Sequence, residues 1–317
     1  MRKRSLDMVY ELARKDERIV FIGSDLGVGT LDNFRKEIPD RFFMEGVSEQ
    51  NIVGMAAGMA LEGRIVYVNT IATFLTRRCF EQVVLDLGLH NVNVRLIANG
   101  GGVVYAPLGP THLAIDDLAI MRAVPNMTIV APSDAEEMSR LMPQTVDHAG
   151  PIYIRLGKGG DPVVSSPDKP FRIGKAIPMT SGDDVLLVTT GITLKIGLEA
   201  AEALKQSGIA ATVLHMHTVK PLDTDALLTH ASRAHAVVTI EEHTILGGLG
   251  GAVAEILAEA GFNSGRRFRR IGLRDLFPHG YGSQASMMQH YGITTENTIA
   301  TVNELLQSAA ALSGPPR

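Results

Sequence analysis

A single cysteine, Cys79, stands in the 317 residues. No internal disulfide can form, so the fold must rest on its core, and the expected home is reducing and cytoplasmic. Tryptophan is absent, which by itself says nothing of function. No apolar stretch approaches the roughly 20 residues that cross a bilayer. The basic start Met1-Arg2-Lys3-Arg4 runs into Asp7 and Glu11 rather than an apolar stretch, so it does not read as a signal peptide, and no membrane partner is expected. Positive charge is not in excess either. A net charge of −4 supplies no basic field, and no nucleic-acid partner is expected. Dinucleotide loops are missing as well. Gly27-Val28-Gly29 continues into Thr30-Leu31-Asp32, and Gly247–Gly251 has the wrong spacing, reading instead as the close-packed start of a helix. His215 and His217 share a strand face, but no third and fourth zinc ligand accompanies them.

What is present reads as a globular chain long enough for two domains, with 45% hydrophobic and 20% charged residues. Short β-branched runs alternate with longer helical patterns, which is the pattern of a parallel α/β sheet. Strands are predicted at 18–23, 64–69, 93–98, 127–131 and 152–156, with helices at 6–15, 49–61, 77–90, 113–123 and 135–148. Asp134 is the predicted N-cap of the last of these helices. Residues 161–184 hold Pro162, Pro167, Pro170 and Pro178 with little periodicity, so they are expected to be a linker. The alternation then restarts, with strands at 185–190, 211–215, 236–240 and 268–272. Helices are predicted at 194–206, 223–234, 250–260 and 294–311. The expected fold is therefore α/β, two tandem domains of residues 1–160 and 185–317, each a mostly parallel sheet with flanking helices.

The most unusual segment runs from Gly46-Val47-Ser48-Glu49-Gln50-Asn51 through Ile52-Val53-Gly54-Met55-Ala56-Ala57-Gly58. After Asn51 the helix is apolar on every face, which predicts burial on all sides. Gly54 and Gly58 share a face where another backbone can approach. Glu49 enters this helix in its first turn. It either complements the positive helix end or is a buried carboxyl group, protonated or firmly paired. A protonated carboxyl held still is a good donor to a heterocycle nitrogen. His112 follows Gly109-Pro110-Thr111 in a strand-to-helix loop, where function collects in α/β sheets, and a histidine there can move protons near neutral pH.

The run Arg41-Phe42-Phe43-Met44-Glu45-Gly46-Val47-Ser48-Glu49-Gln50-Asn51 resembles the transketolase family, in particular the C-terminal half that forms a separate chain in two-component transketolases. The same half of deoxyxylulose-phosphate synthase is similar. Matches continue in order through Thr73-Phe74, Phe80-Glu81-Gln82-Val83, Gly109-Pro110-Thr111-His112, Pro132-Ser133-Asp134, Ile154-Arg155-Leu156-Gly157, Val219-Lys220-Pro221-Leu222-Asp223 and Glu241-Glu242-His243. The resemblance implies a pyrimidine-binding domain over 1–160, the transketolase C-terminal domain over 185–317, and thiamine diphosphate as cofactor. It assigns Glu49 to the N1′ atom of the cofactor's aminopyrimidine, where it promotes loss of the thiazolium C2 proton. Phe74 matches the ring that stacks on the pyrimidine. Ile71, Arg77 and Phe80 are further cofactor-side candidates, with the register there open by one residue. Asp25 matches a residue near the subunit junction, with a simple turn as the alternative.

On the substrate side the resemblance assigns proton transfer to His112 and phosphate binding to Arg155, for which a structural ion pair is the alternative. His279, in Pro278-His279-Gly280, is a candidate to reach a partner or substrate, with a plain surface loop as the alternative. Two departures concern substrate. Leu108 stands where sugar-using relatives carry an acidic group, and Gly100-Gly101-Gly102 stands where many begin the loop with histidine. Together they predict lost hydrogen-bond partners and opened volume. The family's Gly-Asp-Gly signature, which holds Mg²⁺ and diphosphate, is missing. Ser181-Gly182-Asp183-Asp184 is the nearest approach. The metal is therefore expected on a partner chain carrying the diphosphate-binding domain, around a homodimer core in a heterotetramer. The implied activity is transfer of a two-carbon ketol or acyl unit to an aldehyde. The alternatives are the beta subunit of a 2-oxo-acid dehydrogenase and a non-catalytic regulatory subunit.

Overall fold

Apolar, β-branched runs produce most strands of the computed structural model, which describes residues 1–24, 29–157, 159–261 and 267–312. The first half of the chain supplies β1 (Ile19–Gly23), β2 (Phe42–Met44), β3 (Ile65–Ile71), β4 (Val94–Asn99), β5 (Thr128–Val130) and β6 (Ile152–Arg155). The second half supplies β7 (Ile177–Pro178), β8 (Val185–Thr189), β9 (Ala211–His215), β10 (Thr218–Lys220), β11 (Ala236–Thr244) and β12 (Arg267–Leu273). Every position of β1, β4, β6, β8 and β9 is buried, as expected of strands covered on both faces by helices.

Two sheets result. The larger has the order β10-β5-β6-β4-β3-β1-β2 and the smaller β12-β11-β8-β9-β7. All pairings are parallel except β10 on β5 and β7 on β9. The fold class is the one expected: α/β, with two mostly parallel sheets. The division between the halves is less clean than the sequence suggests. β10 comes from the C-terminal half but extends the first sheet. Residues 161–184 are also packed rather than free. Val164 and Ser165 donate backbone N–H groups to Asp134, Phe171 joins the first domain's core, and Ile177 pairs with His215. Asp134 is indeed an N-cap, accepting from the N–H groups of Glu136 and Glu137.

The Glu49–Leu61 helix departs from expectation. Ile52, Val53, Ala56 and Ala57 are buried, yet Gly58 and Leu61 face solvent. A side chain at Gly58 would meet nothing within 4 Å. Beside this open face Leu85 and Leu89 are exposed too. Apolar character all round the helix therefore does not bring burial all round within one chain.

The domains meet across buried polar groups. Glu137 of the first half bonds His215 of the second at 3.0 Å, and the His217 ring stacks on Phe171 at 4.0 Å. Burial pushes the Glu137 carboxyl up, but the charge and hydrogen bond of His215 outweigh it and hold Glu137 at about 2. Burial drives His217 down to about 3 and His243 to about 4, while it raises Glu241 and Glu242 to about 7. The two histidines stabilise the fold above their ordinary value of 6.5 and lose that contribution as pH falls toward their folded values. Glu137 acts alike below 4.5, whereas Glu241 and Glu242 contribute fully below 4.5 and lose it as pH rises through about 7. Between roughly pH 4.5 and 6.5 the two glutamates offset these two histidines, and burial of His148 and His230, which lowers both, leaves a shallow loss of stability as pH falls. Below 4.5 only the losses remain, at roughly two to three protons, or about 3–4 kcal/mol per pH unit. Urea midpoints measured from pH 3 to 7 should show a shallow slope and then a steep acid limb. A slope as steep above pH 4.5 as below it would contradict this balance.

Candidate active site

Glu49 sits at the first position of its helix and is only 2% exposed. A carboxylate so placed needs a partner, and Arg78 provides it, donating from Nη1 to Glu49 Oε2 at 2.8 Å. The same guanidinium lies over Phe74, 4.0 Å from its ring centroid. Phe74 in turn meets His112 edge-on, with centroids 5.5 Å apart and planes at 67°. Thr111 Oγ1 lies 2.9 Å from His112 Nδ1, which leaves Nε2 as the free ring nitrogen. The structure thus links Glu49, Phe74 and His112 in one series of contacts, with Arg78 joining Glu49 to Phe74.

The backbone that carries Phe74 and Arg78 is irregular. Phe74–Arg78 and Val83–Leu89 are wide π-helical turns around a single α turn, Phe80–Gln82. The extra residue that such turns insert is the physical reason the register of 71–80 could not be read from the sequence. Cys79 is buried here, its Sγ 3.2 Å from the Phe74 and Leu75 carbonyl oxygens. Burial, with the nearby Glu49 charge, pushes its thiol up to about 12, so it is an inert core residue. Arg77 turns away from Glu49 and ties this stretch to the histidine loop, donating to Leu113 O at 3.1 Å. Ile71 closes β3 at half burial, and Phe80 is 36% exposed. Asp25 lies outside the described residues.

The structure bears on three substrate-side expectations. Arg155 is 6% exposed, and its Nε donates to the buried Asp117 at 2.8 Å, while Nη2 reaches the Glu242 carbonyl at 2.8 Å. Tyr153 Oη donates to the same Asp117 oxygen. Arg155 therefore makes the structural ion pair that was the alternative reading, at the domain junction, with Nε and Nη2 already engaged. Removing one partner of such a pair costs roughly 3–5 kcal/mol. The glycine run opens no volume. A Cβ at Gly100 would fall inside the Tyr105 ring, one at Gly101 would strike Arg155, and one at Gly102 would strike Glu242. These glycines admit close neighbours, and Gly100 and Gly102 also need their positive φ. His279 is exposed and uses its backbone N–H to bond Tyr291 Oη at 2.9 Å. Its neighbour Tyr281 lies against Gly109, beside the 51% exposed Leu108.

Arg78 and Tyr281 were not found from the sequence. Arg78 had no usable signal, because the predicted helix begins at 77 and the π-helical turn over Phe74–Arg78 breaks the four-residue spacing that would place the two side chains together. Tyr281 had none, because its approach depends on how the second domain folds over the first. Among the described residues no group of three or more His, Cys, Asp or Glu is placed to hold a metal ion.

Comparison with known proteins follows the same division. Residues 1–160 match the model of the transketolase pyrimidine binding domain, and residues 174–298 that of the transketolase C-terminal domain. The chain belongs to the transketolase family. It is 36% identical to the 6-deoxy-6-sulfo-D-fructose transketolase subunit SqwH of Clostridium sp., over 97% of this chain and 94% of that one. It is also 36% identical to one of the subunits of the apulose-4-phosphate transketolase of Phocaeicola vulgatus, over 96% and 97% of the two chains. The 1-deoxy-D-xylulose-5-phosphate synthase 1 of Geobacter sulfurreducens is 38% identical over 96% of this chain, which spans 48% of that protein. Among solved structures, a split-gene transketolase described as an inactive beta4 tetramer superposes with a TM-score of 0.88 at 37% identity, covering 96% of this transketolase-family chain and 98% of the other.

Proposed function

We propose that this chain is the pyrimidine-holding subunit of a two-chain transketolase, active on thiamine diphosphate shared with a partner that carries the diphosphate-binding domain. The reaction is transfer of a two-carbon ketol or acyl unit to an aldehyde acceptor. One observation carries the reading: a flat, nitrogen-bearing cation is stacked on Phe74 while donating to the buried Glu49. The aminopyrimidine of thiamine is also flat and rich in nitrogen. It fits the same two groups.

Thiamine diphosphate, when bound, supplies the carbon–carbon bond chemistry. The chain's residues do the rest. Glu49 places a carboxyl group at a ring nitrogen and holds a proton there. Phe74 fixes the ring plane, and the buried helix start keeps water from the carboxyl. His112, oriented through Nδ1, moves protons at the substrate side with Nε2. Mg²⁺ and the diphosphate belong to the partner chain, which completes the site. A second copy of this chain covers the open face of Gly58, Leu61, Leu85 and Leu89, giving a homodimer core flanked by two partners. The site of action is the cytoplasm.

Leu108 still bears on substrate. It cannot accept from a sugar hydroxyl, and once a partner chain covers this 51% exposed side chain, a hydroxyl left unpaired there costs on the order of 1–3 kcal/mol. The donor should therefore be less hydroxylated near the reacting carbon than an ordinary ketose phosphate. With the glycine run filled by Tyr105, Arg155 and Glu242, this expectation rests on Leu108 alone. The test is to assay the reconstituted pair with xylulose 5-phosphate, a deoxy ketose phosphate and pyruvate, each with an aldehyde acceptor. Transfer favouring the less hydroxylated donor is expected. A clear preference for xylulose 5-phosphate contradicts the Leu108 argument, and 2-oxo-acid turnover onto a lipoyl acceptor overturns the transketolase assignment.

A further inference from the structure

Arg78 does more than neutralise Glu49. Its guanidinium takes the Phe74 face and a Glu49 oxygen together, 4.0 Å from the ring centroid and 2.8 Å from Oε2. A cofactor ring held by Glu49 and Phe74 needs the same face and the same carboxyl group. A ring that stacks on this face of Phe74 and bonds this oxygen of Glu49 has to displace the guanidinium. We infer that Arg78 is a built-in occupant of the ring slot, closing it in the free chain and swinging out when an aminopyrimidine enters. This inference rests on the function proposed above.

The two partners differ in a way that makes the arginine the moving part. The Glu49 side chain is 1% exposed, while that of Arg78 is 41% exposed. Glu49 has no route to water, but the guanidinium already borders solvent and can be hydrated as soon as it leaves. The occupant also protects the fold. A buried carboxylate with no counter-charge is costly, so an empty slot would burden the free chain, and a resident cation removes that burden until a ligand arrives. The electronic fit is close as well. A guanidinium is planar, stacks on aromatic faces and donates along its edge. Lysine could pair with Glu49 but could not imitate a ring. The neighbouring Arg77 cannot take the role, because it is committed to Leu113 O and lies near Asp116.

A resident occupant lowers apparent affinity by the fraction of time the slot is open. If that fraction is between a hundredth and a tenth, removing the side chain raises affinity about 10- to 100-fold. Thiamine itself is the probe, because it offers the aminopyrimidine without the diphosphate that a partner would hold. Calorimetric titration of the purified chain should show Arg78→Met binding thiamine at least about tenfold more tightly than wild type. Adding Glu49→Gln to that variant should abolish the gain. Arg78→Lys, which keeps a cation for Glu49 and so guards against failure to fold, should show a smaller gain. Equal or weaker binding by both single variants overturns the inference. To separate the two claims, the wild-type chain is also assembled with its partner and titrated with thiamine diphosphate. Uptake there without any gain from the Arg78 variants sinks the inference alone. No uptake by the assembly, with wild type or variant, sinks the inference and the proposed function together.

Discussion

Glu49→Gln lowers turnover of the assembled enzyme by about 10²- to 10⁴-fold, the span that a positioned proton-transfer group contributes. The amide is nearly isosteric and still accepts from Arg78, but it cannot hold or exchange a proton with a ring nitrogen. Folding should hardly notice. Arg78 borders solvent and can be hydrated, so the loss of its charged partner costs roughly 1 kcal/mol. The change therefore separates chemistry from stability. Turnover is measured at saturating donor in the reconstituted pair, alongside the denaturant midpoint of the chain alone. Turnover within a few-fold of wild type would remove Glu49 from the mechanism. Collapse of the midpoint would show instead that the Arg78 pair is structural.

The sequence exposed the fold through its longest and most regular signals. β1, β3, β4, β6, β8 and β9 are near-continuous apolar runs because helices cover both faces, and such runs stand out between helical stretches. β2, β7 and β10 have two or three residues each, too few to show a period. Their positions are fixed by neighbours far away in sequence, as when β10 crosses over to extend the first sheet. Glu49, Phe74 and His112 could be singled out because each stands in a distinctive local run, and the structure links them through Arg78. Arg155 was visible, but which of its two roles it takes was not. An arginine at a strand end looks the same whether it faces a substrate or a buried Asp117. The glycine run misled for a related reason. A missing side chain signals either open space or a close neighbour, and here Tyr105, Arg155 and Glu242 fill the space. The Glu49–Leu61 helix was read as fully buried because sequence reports hydrophobicity, not which molecule supplies the cover.

The second large effect concerns what the chain lacks by itself. With Arg78 across Phe74 and no group of three or more His, Cys, Asp or Glu placed to hold a metal ion among the described residues, the proposed function gives the free chain half a site, and that half is closed. On the proposed function, a partner chain supplies the other half. A ligand spanning both should bind the assembly far more tightly than either part, because the contacts add while the ligand is immobilised only once. The direct measurement is a calorimetric titration of thiamine diphosphate and Mg²⁺ into this chain, into the diphosphate-domain partner, and into their equimolar mixture. Micromolar or tighter binding that appears only in the mixture is the predicted result. Micromolar binding by this chain alone would contradict a site completed by a second polypeptide.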